Sequence, residues 1–274
     1  MKKGIIALIT DVVIFIAFVI FFQYIFPYGI SENGQIYSRK NINAAKEHKP
    51  YTGMLHEKKT YTFPDVCAPY DVIDVSSWQG DIDWKKVAES GIKGVIIRLA
   101  RYDLEKDANF DVNYKRAKEN GLLVGCYYFM GATSLAEADA EAEKVTSLLD
   151  SGKYQLELPV FYDVEDEHDS ETGEISALDR QLLTDIIGVF CGKMLEKGYY
   201  AGYYSNYTFA KNEFYPEQLG KYPMWIAKWD DFNSNTVDYS LWQYSAAGNV
   251  PGIDGECDMN VCFVDFCSYI KDNG

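Results

Sequence analysis

Leu158-Pro159-Val160-Phe161-Tyr162-Asp163-Val164-Glu165 runs from an apolar and aromatic stretch straight into two carboxylates separated by one valine. The run is short, β-branched and aromatic, and a proline stands near its start, which is the pattern of a buried strand. In a strand, residues i and i+2 share a face at a repeat of roughly 6.5–7 Å, so Asp163 and Glu165 point the same way. Two like charges held that close at a strand mouth are costly unless something uses them. Asp166, Glu167 and Asp169 follow directly, so for the pair taken alone an acidic turn is the plain alternative.

Outward from this stretch the same kind of run recurs. Residues 71–75 (DVIDV), 94–99 (GVIIRL), 122–129 (LLVGCYYF), 158–163 and 199–204 (YYAGYY) read as strands. Between them, residues 110–120, 135–150 and 177–197 carry apolar side chains at three- and four-residue spacing, as helices do. Gly91, Gly121 and Gly198 each fall just past a helical stretch, where a left-handed cap is wanted. This alternation predicts parallel strands joined by helical crossovers. After residue 204 the rhythm changes, and 223–227, 239–244 and 256–261 read as strands with little helical pattern between them. The expected fold class is α/β: a modified TIM-like β/α barrel of eight strands, with helices mainly in the first half. Such barrels do their chemistry at the C-terminal ends of the strands. Asp74, Tyr128, Asp163, Tyr204 and Asp258 are all expected at or near that rim.

The ends of the chain read differently. Residues 4–26 (GIIALITDVVIFIAFVIFFQYIF) hold one charge, Asp11, and at about 1.5 Å per residue are long enough to span a bilayer core. Lys2 and Lys3 precede this segment and no lysine follows closely, which orients the rest of the chain outward. The expected organisation is a membrane anchor over 1–30, a linker over 31–66 and a catalytic barrel over 67–274. The expected location is the cell membrane, single-pass, with the barrel extracytoplasmic. The alternative is a secreted domain after cleavage of a signal peptide, although no small-x-small site follows Phe26-Pro27-Tyr28.

A formal charge of −15 argues against nucleic acid as a partner, because a phosphate backbone needs a basic surface. It does not argue against carbohydrate, and 22 tyrosines offer ring faces for sugars as well as core residues. Cys126 and Cys191 sit in apolar patterns as buried thiols, whereas one bridge among Cys67, Cys257, Cys262 and Cys267 is open. With three histidines and no zinc-like cysteine spacing, no metal and no cofactor are implied.

The ordered motifs resemble glycoside hydrolase family 25, the lysozyme (N-acetylmuramidase) family. The blocks are Asp71-Val-Ile-Asp-Val-Ser-Ser-Trp-Gln-Gly80, Asp83-Trp84, Gly94-Val-Ile-Ile-Arg98, Gly125-Cys-Tyr-Tyr-Phe129 and Pro159-Val-Phe-Tyr-Asp-Val-Glu165. Trp225-Ile-Ala-Lys-Trp229, Trp242-Gln-Tyr-Ser245, Gly252-Ile253 and Asp258-Met-Asn260 complete the order. Where family members often carry histidine in the third strand, this chain has Tyr128.

The resemblance implies hydrolysis of the β-1,4 bond between N-acetylmuramic acid and N-acetylglucosamine. Glu165 is the expected acid and base, and Asp163, kept ionised, the expected stabiliser that raises its neighbour's pKa. The attacking atom stays open between the substrate's 2-acetamido oxygen, an enzyme carboxylate and water. Asp74 and Asp258 are expected in the catalytic set. Tyr128, Tyr204, Trp78, Trp229, Trp242 and Arg98 are the expected substrate-binding candidates, with Arg98 also an internal partner for one of the acids. The expected partners are peptidoglycan glycan strands, the membrane through the N-terminal helix, and an envelope-spanning machine whose passage the enzyme opens. The alternatives are a non-catalytic, membrane-tethered peptidoglycan-binding protein and a chitinase-like glycosidase.

Overall fold

The computed structural model describes residues 28–30, 36–38, 68–103, 105–166, 174–229 and 239–273. Two short strands, β1 (Tyr28–Ile30) and β2 (Ile36–Ser38), pair antiparallel inside the stretch read as anchor end and linker. Residues 4–26, expected from the sequence to span a membrane, lie outside the described residues. Among the described residues, no helix is long and apolar enough to cross a membrane.

The barrel is closed by β3 (Tyr70–Val75), β4 (Gly94–Ala100), β5 (Leu123–Phe129), β6 (Val160–Asp163), β7 (Ala201–Asn206), β8 (Met224–Ala227), β9 (Leu241–Gly248) and β10 (Cys257–Cys262). From β3 to β9 each neighbour is parallel, as the βα rhythm predicts. The last strand departs from this: β10 is antiparallel to both β9 and β3. Its first residues therefore sit on the rim where the other strands end. That reversal puts Asp258, near the start of its strand, opposite Asp74, near the end of β3.

Helices cover the outside where the sequence pattern predicts them. α2 (Phe110–Glu119), α3 (Leu135–Gly152) and α4 (Arg180–Glu196) follow β4, β5 and β6. α4 buries Leu183, Ile186, Ile187, Phe190, Cys191 and Met194, the i, i+3, i+4 stripe that a barrel wall demands. Asp179 caps it by accepting hydrogen bonds from the backbone N–H groups of Gln181 and Leu182. Lys193 on α4 bridges to Asp139 and Glu143 on α3, binding the two longest helices among the described residues side by side. Three short helices were not predicted: α1 (Trp84–Glu89), α5 (Tyr207–Asn212) and α6 (Phe266–Asn273).

Gly91, Gly121 and Gly198 adopt φ of 100°, 78° and 84°, the left-handed caps their positions call for. β7 starts two residues later than the sequence suggests. Tyr199 instead finishes the turn after α4, its N–H donating to Met194 O at 2.9 Å. Cys257, Cys262 and Cys267 are buried free thiols, so no bridge joins these three, and Cys67 lies outside the described residues. Cys267 is held instead by donating to Glu157 O.

Candidate active site

Alternation along each strand decides which side chains enter the barrel. Laterally paired residues share a face, and the pairing runs Phe129–Asp163–Tyr204–Trp225 across β5 to β8, with Ala227–Gln243 and Asp258–Asp74 at the other side of the rim. These inward positions bring Asp74, Asp163, Glu165 and Asp258 into one open cleft of about 800 Å³, together with Tyr127, Tyr204, Trp225, Trp229 and Gln243.

The carboxylate pair is held by backbone bonds that continue the sheet past β6. Val164 donates its N–H to Tyr204 O at 2.9 Å, and Met130 donates to Asp163 O at 3.1 Å. Ser205 Oγ donates to Val164 O at 2.8 Å. Beyond Glu165, Asp166 Oδ1 accepts from the N–H groups of Ile175 and Ser176 at 2.9 and 3.1 Å. Glu165 is thus carried on a stem fixed on both sides, half-buried at the cleft wall.

Asp74 sits at the end of a relay of amides. Its Oδ2 accepts from Asn260 Nδ2 at 2.8 Å and from Gln243 Nε2 at 3.0 Å. Asn260 Oδ1 in turn accepts from Trp225 Nε1 at 2.7 Å, and Gln243 Oε1 from Trp229 Nε1 at 3.1 Å. Both amides are buried, so each orientation is set by a donor on one end and an acceptor on the other. The relay connects Trp229, which is 64% exposed, to a carboxylate that is almost fully buried.

Crowding of acids makes the site hold protons. Burial, the charge of Asp74 and a hydrogen bond to it push Asp258 up to about 9. Burial also raises Asp74, though hydrogen bonds from Asn260, Gln243 and Asp258 oppose the rise. Both shifts favour a proton held between the two carboxyls, with Asp258 the more strongly raised and donating to Asp74. Asp163 is raised well above the usual carboxylate range by burial and then by the charges of Glu165 and Asp74, while Arg98 pulls it down. Its Oδ1 is buried and has no hydrogen-bond partner among the described residues. Burial thus works against the ionised Asp163 expected from the sequence, and the charge of Arg98 works for it.

Other expected positions move as well. Tyr128 does not reach the cleft. It points outward, fully buried, stacked against Tyr162 and Phe190, because Tyr127 takes the inward place on β5. Trp242 points outward too, its Nε1 donating to Lys228 O at 2.9 Å, since Gln243 faces the cleft. Trp78 is 85% exposed on a single 3-10 turn, Ser77–Gln79, and is not part of the cleft wall. Arg98 is an internal partner, but of Asp107 rather than of the four site acids. Its Nε and Nη2 meet Asp107 Oδ2 at 2.9 and 2.8 Å, and Nη2 also donates to Ser77 Oγ. Tyr204 is where it was expected, in the cleft, with its hydroxyl 3.4 Å from Gln243 Oε1.

Tyr127, Trp225, Gln243 and Asn260 were given no role from sequence. Nothing in the sequence sets the two amides apart: Gln243 shares its strand with Tyr244 and Ser245, and Asn260 becomes an inward residue only once the strands are paired. Glu141 is a further case. It lies on the buried stripe of α3 with Ala138, Ala142 and Val145, and accepts from Gly131 N–H and from the O–H of Tyr162, the residue before Asp163. Among the described residues, no group of three or more His, Cys, Asp or Glu is arranged to hold a metal ion.

The model of glycosyl hydrolases family 25 matches residues 73–253. The uncharacterized protein YegX of Escherichia coli O6:H1 is 29% identical over 243 residues, covering 82% of this chain and 84% of that one. Lysozyme M1 of Streptomyces globisporus is 27% identical over 202 residues, covering 69% of this chain and 66% of that protein. The modular autolysin LytC of Streptococcus pneumoniae, solved in complex with a synthetic peptidoglycan ligand, superposes with a TM-score of 0.64 at 26% identity. That match covers 76% of this chain and 52% of LytC, so this chain spans about half the length of that autolysin.

Proposed function

The chain belongs to the glycosyl hydrolases of family 25, and from that premise we infer how it works: it is a peptidoglycan hydrolase of lysozyme type in which Glu165 carries the proton. The observation that supports these roles most is the cleft floor, where a buried Asp163 with an unpartnered oxygen stands beside Glu165.

Glycosidic cleavage needs an acid for the leaving oxygen and stabilisation of an oxocarbenium-like centre. Burial and the charge of Glu165 raise Asp163 toward its protonated form. A substrate amide N–H donating to Asp163 Oδ1 supplies the missing partner and stabilises the carboxylate form. The proton of the pair then belongs on Glu165, which is half-buried at the wall and faces the bond to be cut. Glu165 protonates the leaving oxygen and afterwards takes a proton from water. The first attacking atom is the substrate's own acetamido oxygen or an enzyme carboxylate, released later by the water whose proton Glu165 takes; where water attacks directly, ionised Asp163 takes its proton instead. Asp74, held by Asn260 and Gln243, and Asp258, holding the shared proton, fix the floor against which the sugar rests. Tyr204 and Trp229 supply ring surface at the wall.

The same reading places the barrel outside the cell, anchored through residues 1–30 and carried on the 31–66 linker. An uncoiled chain of that length reaches typically about 30–36 Å, and the pairing of β1 with β2 shortens it further, which limits the enzyme to nearby wall and suits the opening of a local passage for an envelope machine. Release of reducing ends from purified cell walls tests the chemistry. Glu165→Gln is expected to lose at least about a hundredfold in kcat with its thermal unfolding unchanged. Equal rates for the two proteins would sink the assignment.

A further inference from the structure

The cleft carries four acids, and the chain as a whole carries −15. Peptidoglycan glycan carries carboxylates of its own, so an acidic site repels it unless a cation receives part of that charge. Among the described residues lining the cleft, Lys228 is the only lysine or arginine.

Its placement is built rather than incidental. Lys228 follows β8 directly, and its backbone is fixed at both ends. The N–H donates to Gln243 O at 3.0 Å, and the carbonyl accepts from Trp242 Nε1 at 2.9 Å. Its ammonium lies 4.8 Å from the centre of the Tyr207 ring, and Tyr207 opens α5 and lines the same cleft. The next residue, Trp229, is exposed and oriented by its bond to Gln243. A ring face beside a positioned ammonium suits a sugar that bears a carboxylate.

Resting on the muramidase reading and deepening it, we propose that Lys228 selects the muramyl sugar by pairing with a carboxylate on its lactyl side, while Trp229 offers a face to the ring. That carboxylate is the lactyl group itself in stem-free glycan, or a carboxylate of the stem peptide where the lactyl group is amide-linked. The shared chemistry is one anion on the muramyl side of the cleft. It separates this substrate from N-acetylglucosamine polymers, which have none.

Three substrates test this with the full chain: stem-free glycan strands, the same strands with the lactyl carboxylates converted to neutral methyl amides, and stem-bearing strands. The wild-type KM is expected to be about tenfold lower for at least one carboxylate-bearing substrate than for the amidated one, as loss of one charged contact implies. Lys228→Met is expected to erase that ratio with kcat within about twofold, and Lys228→Arg to restore it. Preference for the stem-free acid assigns the lactyl group; preference for stem-bearing strands alone assigns the stem. A wild type without the preference, or a Lys228→Met protein that keeps it, overturns the proposal. A wild type that cuts none of the three overturns the muramidase reading with it. Thermal unfolding of both variants confirms that they are folded.

Discussion

At the scale of single residues, the site is a set of acids whose protons are assigned by depth. Asp258 donates to Asp74, and an asparagine at 258 offers an N–H in the same role without a charge to bury. The sign follows from linkage. A carboxyl whose pKa is raised in the folded protein contributes stability that is fully present below its unfolded pKa near 3.8 and is lost as pH rises toward about 9. Asp258→Asn is therefore expected to match the wild type near pH 4 and to be the more stable protein at higher pH. The gap should widen up to about pH 9 and be on the order of 1 kcal/mol or more near neutrality, read as Tm against pH. A constant gap across that range would mean that Asp258 does not hold the proton. The acids themselves were legible in the sequence because carboxylates at strand ends stand out against apolar runs. Their partners were not. Gln243 and Asn260 gain meaning only when β10 reverses and sets both beside Asp74.

At the scale of elements, the strands were legible because short, continuous apolar runs mark their course and glycine caps mark the ends of the helices before them. The short helices were not, since α1 and α5 are six residues each, too short to display a helical repeat. Facing was harder still. Tyr127 and Tyr128 are chemically alike and adjacent, so composition cannot tell which enters the barrel. The register with Phe161 and Tyr162 on β6 decides it. The strands also depend on positions where no side chain fits. A Cβ on Gly202 of β7 would lie 2.2 Å from Pro223 O and 3.1 Å from the Phe161 ring. The nearest obstacle is backbone, so the clash is relieved only by moving β7 against β8. Gly202→Ala is expected to cost about 1–3 kcal/mol and to lower Tm by several degrees. Because β7 carries Tyr204 and its backbone pins Val164, activity should fall more than folding alone explains at a temperature where the variant is still native. A variant with wild-type Tm would show that the strand spacing is softer than its contacts imply.

At the scale of the whole molecule, a closed barrel with one reversed strand gathers its acids on one rim and leaves their reach to be set by what precedes it. The chain carries −15, and a wall bearing carboxylates repels such a protein, so diffusion alone makes it a poor wall enzyme at low ionic strength. An anchor changes this, because tethering replaces free encounter with a high local concentration within the span of the linker. Residues 4–26 are apolar enough to serve, with Asp11 the one charge among them. The full chain expressed in a bacterial host is therefore expected to sediment with membranes, to resist washing with high salt or carbonate, and to be freed by detergent. A protease added outside spheroplasts should reach the barrel but not the extreme N-terminus. Recovery of the barrel in the soluble fraction without detergent, with a new N-terminus beyond residue 27, would establish a cleaved signal instead. The linker-limited reach proposed for this enzyme would then have to be given up.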